Sequence, residues 1–160
     1  MRDPRWRSSS MLLAASGILL IGVGIYFLVL RPPLLPEDVR YMGLTPTELQ
    51  SIGPRLTAWL TQVFRVMGGY VAATGVLALT LATTSFREHR GIAGLGAGIA
   101  GGLSIGLMAA VNFMIHSDFK WVLLGIALVW GVSIVMSVRE AVVSPKAAEP
   151  AGSKHQRRAR

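Results

Sequence analysis

A chain of 160 residues, 52% hydrophobic and only 15% charged, with its charges gathered outside four long apolar runs, has the composition of an integral membrane protein and leaves no room for a separate soluble domain. Cysteine is absent, which excludes disulfides, thiolate catalysis and thiolate metal ligands. The formal charge of +8 is distributed as a membrane orientation signal, and no aromatic platform or folded basic face accompanies it to bind nucleic acid.

Residues 1–10 carry Arg2, Arg5 and Arg7 and precede the first span, 11–30. That run is longer than the roughly 7–15 apolar residues of a secretory signal and ends in Arg31-Pro32-Pro33 without a small-residue cleavage pattern, so an uncleaved span is expected. It holds Gly17, Gly22 and Gly24 but no ionisable side chain. No Asp or Glu falls inside any of the four runs, which argues against proton-coupled export on an intramembrane carboxylate.

The loop 31–55 has the punctuation of ordered structure. Pro32, Pro33 and Pro36 are expected to keep its start extended. Thr45-Pro46-Thr47-Glu48 has the form of a capping box, with Thr45 at the N-cap and Glu48 reaching back to it. Gly53-Pro54 then ends one helix and starts the next.

The second span, 56–85, extends a helix that begins at Pro54 and, at 1.5 Å per residue, runs roughly 48 Å against a hydrocarbon core of about 30 Å. Its first turns are amphipathic, with Trp59 at headgroup level. Arg65 is the deepest charge, suited to an anionic headgroup, a quinone oxygen or a partner's acid, and equally to snorkelling. Gly68 and Gly69, with Ala72 and Ala73 one turn on, form a close-packing patch.

In the third span, 91–115, Gly94, Gly98, Gly102, Gly106 and Ala110 repeat every four residues. In water each glycine would cost about 1 kcal/mol against alanine. In lipid the helix persists, and the smooth stripe lets another backbone approach. The stripe either packs this helix against the chain's own spans or docks a second copy or partner. Near its end, Asn112 and His116 share a face, and with Asp118 and Arg65 they are expected to form a polar cluster covered by Glu37 and Asp38. The cluster is a candidate ligand site or an interfacial hydrogen-bond network; its spacing matches no metal site, and no cofactor or catalytic pair is expected.

After a short turn, Trp121 opens the fourth span, 121–138, and residues 139–160 form a basic tail expected to be disordered and to meet anionic lipid at about 1 kcal/mol per basic residue. With the N-terminus placed in the cytoplasm, eleven of the sixteen basic residues lie inside, leaving Arg31, Arg40, Arg55, Arg65 and Lys120 outside, so both termini are expected to be cytoplasmic in a cell membrane. The alanine, glycine, valine and arginine bias suggests a GC-rich bacterial source.

The segment Arg65-Val66-Met67-Gly68-Gly69-Tyr70-Val71-Ala72-Ala73-Thr74-Gly75, together with the order of elements, resembles the second span of small bacterial four-helix membrane proteins of the DoxX-like group, in which an arginine precedes a Gly-Gly helix. The resemblance implies a fold; the thiol chemistry of some relatives has no residue to carry it here. The expectation is an all-α membrane four-helix bundle acting as a non-enzymatic accessory or interaction protein, in contact with the bilayer and with a membrane-protein partner or a second copy. The alternative is a small carrier of an apolar ligand, a lipid or quinone, with a polar site at the outer mouth.

Overall fold

A computed structural model of the chain describes residues 7–86 and 91–143. The basic residues from Lys146 on and their expected anionic-lipid contact, with Arg2, Arg5, Arg87 and Arg90, lie outside the described residues; Arg139, expected in the disordered tail, is helical. Those described are all-α, without a strand. Helix α1 (Ser8–Ile25) continues through a π-helical turn (Tyr26–Leu30); the short α2 (Pro36–Met42) and α3 (Pro46–Ser51) follow, then α4 (Pro54–Thr83). The third span is α5 (Gly91–Gly101), a second π turn (Gly102–Gly106) and α6 (Leu107–Met114), and α7 (Lys120–Val143) completes the bundle. Four of these units, Ser8–Leu30, Pro54–Thr83, Gly91–Met114 and Lys120–Val143, are long and apolar enough to cross a membrane. Their outward faces carry exposed Ile18, Leu77, Leu95 and Val135, as lipid-facing helices do.

The tightest seam joins α1 to α4, antiparallel, through two glycine pairs. Gly17 lies against Gly75 and Gly24 against Gly68. In each helix the two glycines are seven residues apart, two turns, which keeps them on one face. A Cβ on Gly24 would stand 2.5 Å from the Ala72 nitrogen, and one on Gly75 2.6 Å from the Gly17 oxygen, so backbone meets backbone with no space for a side chain. Leu13, Leu20, Val71, Ala78 and Ala82 fill the surrounding core.

The third span packs mainly on α7, and here the small-residue stripe is displaced from the expected one. Its buried residues are Ala97, Gly101, Ile105 and Ala109. Trp130 of α7 lies over Gly101, where any Cβ would overlap the indole, and its Nε1–H donates to the Ala97 carbonyl at 2.9 Å. By contrast, a Cβ at Gly94, Gly98 or Gly102 would meet nothing within 4 Å, and one at Gly106 only its own helix at Gly101. Ala110 is exposed. The regular stripe therefore points away from the described bundle, one residue around the helix from the face that packs. The same split divides the Gly-Gly pair of α4, since Gly68 is packed and Gly69 is open.

At the end of the bundle that carries Arg7, Glu140 of α7 accepts from the Ser9 N–H (3.3 Å) and Oγ–H (2.7 Å), placing a carboxylate on the unsatisfied N–H groups that open α1. At the other end the loop is ordered, as its punctuation implies. Thr45 Oγ1 accepts from the Glu48 N–H, and the Glu48 carboxylate accepts from the Thr45 N–H at 2.8 Å, forming the capping box of α3. Pro36 departs from the extended start expected for it. It is the first residue of α2, whose entry is held by Asp38 accepting from the Leu35 N–H at 2.9 Å.

Candidate functional site

The four spans pack unevenly around the bundle. α1 contacts α4 and α7, α7 contacts the third span, and α4 meets the third span chiefly through α5. In the half nearer the loop this leaves a cavity of about 820 Å³ between α1, α4 and the third span. Tyr70 of α4 and Leu103 of the third span both line it yet are 73% and 72% exposed, so the cavity opens sideways between those two elements. From Leu20 to Arg31 it extends over eleven residue steps, to just past the end of the first span, about 16 Å at 1.5 Å per residue, half of a hydrocarbon core of about 30 Å.

Both π turns contribute to the wall, Tyr26 and Phe27 from one, Leu103 and Ser104 from the other. A π turn inserts an extra residue per turn and so re-aims the side chains that follow; such turns recur at functional sites. Most of the wall is apolar, with Val23, Met67, Leu107 and Met108 among the lining residues. Two of its hydroxyls are turned onto their own helices: Thr74 donates to the Tyr70 carbonyl at 2.9 Å and Ser104 to that of Ala100 at 2.6 Å. Asn112 likewise donates from Nδ2 to the Met108 carbonyl at 2.8 Å, which leaves its amide oxygen and one N–H to present.

The polar end is built by the loop. Arg31, the residue after the first π turn, has a side chain only 7% exposed. Its guanidinium lies 3.4 Å from the Phe64 ring centroid and 5.3 Å from that of Phe27. It pairs with Asp38 at 3.0 Å and also donates to the Pro32 carbonyl at 3.1 Å. Beside it Glu37 is 3% exposed and lines the cavity, accepting at Oε1 from the buried Ser117 hydroxyl at 3.2 Å. The Ser117 oxygen in turn accepts from the Phe119 N–H at 3.1 Å. Thus α2 is strapped over the cavity by two carboxylates, one paired to a cation and one to a hydroxyl.

The residues singled out in the sequence are divided by this geometry. Asn112 lines the cavity; Arg65, His116 and Asp118 do not. Arg65 is exposed on α4. His116 occupies the left-handed position (φ 53°) that ends the third span: its N–H bonds the Phe113 carbonyl and the Ser117 N–H bonds that of Asn112, the two bonds of a Schellman cap. Its own carbonyl accepts from Arg40 at 3.1 Å, and Arg40 also lies 3.6 Å from Asp118, both side chains well exposed. These three residues tie α2 to the turn before α7 on the outside of the site. Among the described residues no three His, Asp or Glu side chains are grouped to hold a metal ion. Sequence reasoning passed over Arg31 and Ser117; an arginine directly after an apolar run and before Pro-Pro was the available signal for the first.

The fold and the cavity together define a multi-pass helical membrane protein with an interhelical pocket open to the side. No protein-family model, curated protein or solved structure matches the chain.

Proposed function

We propose that the chain is a membrane binding protein or carrier that holds an apolar, tailed ligand in the cavity between α1, α4 and the third span. The observation that carries this reading is the cavity itself: its volume of about 820 Å³ lies within the roughly 300–1,000 Å³ of small-molecule sites, its walls are apolar, and its few polar groups converge at one end. The depth of one leaflet suits an acyl or prenyl chain, and the lateral opening admits it from lipid. Glycine at position 22 is part of the space, since it lines the cavity and a Cβ there would meet nothing within 4 Å. Gently extracted protein examined by native mass spectrometry is expected to carry a discrete lipid-sized mass, and Gly22→Leu is expected to lose it while unfolding at the same temperature. Wild-type protein with no bound mass, or full retention by Gly22→Leu, would contradict the reading.

The open faces of Gly94, Gly98 and Gly102 favour a second role, docking of a partner span or a second copy on the third span. Gly98→Leu is then expected to release a co-purifying protein without altering the fold.

A further inference from the structure

Building on the ligand-binding reading above, we infer that the cavity selects amphiphiles whose head group donates hydrogen bonds and carries no negative charge, an alkyl amine or alcohol, with Glu37 as the head-group acceptor. Three formal charges face the polar end. Arg31 is already committed: its guanidinium is paired to Asp38 at 3.0 Å, bonded to the Pro32 carbonyl and covered by the Phe64 ring. The remaining charge belongs to Glu37, which lines the cavity with only 3% of its surface exposed. Its Oε1 accepts from Ser117, and its Oε2 has no hydrogen-bond partner among the described residues.

A carboxylate removed from water needs donors or a counter-cation on both oxygens, and Ser117 supplies one neutral donor to one of them. A ligand ammonium or hydroxyl would supply the rest. The amide oxygen of Asn112 adds a second acceptor to the lining, beside the one N–H that its bond to Met108 leaves over. A fatty-acid carboxylate would bring a second negative charge to this end with the one nearby cation already neutralised, and a quinone would bring carbonyls that Glu37 cannot donate to. Of the other charged groups at the loop end, Arg40 and Asp118 face each other, and these two, Glu48, Arg55, Arg65 and Lys120 all lie outside the lining.

The test uses the full chain in mild detergent and three probes with the same sixteen-carbon tail, hexadecylamine, hexadecanol and hexadecanoate, with occupancy read by native mass spectrometry. The amine and the alcohol are expected to bind at least tenfold better than the acid. Glu37→Gln, which keeps an oxygen for Ser117, is expected to weaken the amine at least tenfold and the alcohol less than threefold. Acid bound as well as amine, or an amine-to-acid ratio unchanged in Glu37→Gln, would overturn the assignment while leaving a tail-binding cavity intact. If none of the three probes is retained, the cavity reading falls and this inference with it. Should Glu37→Gln fail to fold, the wild-type ranking of the three head groups decides alone.

Discussion

Gly24 and Gly22 stand two residues apart on α1 and serve opposite ends. Gly24 belongs to the α1–α4 seam, where a Cβ would press on Ala72 and Gly68, whereas Gly22 faces the cavity and has open space before it. The difference is one of helix face. Along one face of α1 the glycines at 17 and 24 let α4 close to backbone contact; α4 is thereby drawn onto α1 and away from the third span, which is held on the other side by Trp130 and Gly101. The cavity is what remains between two seams that are each closed by glycine. Small residues in a membrane helix thus do two jobs, and only the space around each one tells which.

The largest expected effect separates the seam from the open stripe. Gly24→Leu should destabilise the bundle by about 3 kcal/mol or more, the upper range for overpacking a well-fitted core, while Gly98→Leu, with nothing within 4 Å, should change stability by less than about 0.5 kcal/mol. Equal losses for the two in a reversible denaturation series would erase the distinction. Next comes the polar end: Arg31→Met leaves Asp38 without its cation and should cost about 3 kcal/mol, the low end for breaking a buried pair, and adding Asp38→Asn should recover part of that loss. A double-mutant cycle with no coupling would show that the pair does not hold the loop.

The smallest effect is confined to α3, which contributes no residue to the cavity lining. The Thr45 hydroxyl and N–H beside Glu48 hold its carboxyl below the ordinary carboxylate range. A carboxyl whose folded pKa is depressed contributes stability at pH above its unfolded value, and that contribution is lost as pH falls through the folded value. Amide protection in α3, corrected for the intrinsic exchange rate, should therefore fall on acidification below the ordinary Glu range, and Thr45→Ala, which keeps only the backbone N–H, should weaken this pH dependence. An unchanged profile in Thr45→Ala would remove the cap from the account.

Much of the fold was legible in the chain. Uninterrupted apolar runs define four spans regardless of packing, and the Thr45–Glu48 box and the Gly53-Pro54 junction are local signals that the structure repeats. Close packing at Gly68 was readable too. In the third span periodicity and contact within the chain part company: its most regular stripe, Gly94 to Ala110, is exposed or open, while the packed face contains one glycine, Gly101, between alanines and Ile105. Which face of a membrane helix is covered depends on the partner helix, here on α7 and its Trp130, 33 residues after the Ala97 carbonyl it bonds. The α1–α4 seam needs Gly17 to find Gly75 and Gly24 to find Gly68, a pairing across two helices that no single-helix pattern contains. Of the residues singled out as a polar cluster, Asn112 lines the cavity with Glu37 and Asp38, and Arg65, His116 and Asp118 do not. Arg31 was missed as a site residue because its role is set by the loop folding back, and His116 was read for its side chain when its backbone is what the fold uses.

Native cysteines are absent, so reactivity at a single introduced thiol is free of background. Val71 and Ala78 lie two turns apart on α4, and both are buried, 7% and 4% exposed, but Val71 lines the cavity and Ala78 does not. The measurement is the rate at which Val71→Cys and Ala78→Cys react with a membrane-soluble maleimide. The account predicts labelling at Val71→Cys at least tenfold faster than at Ala78→Cys; equal, slow rates at the two positions would mean that α4 is packed shut along its length and that there is no cavity to fill.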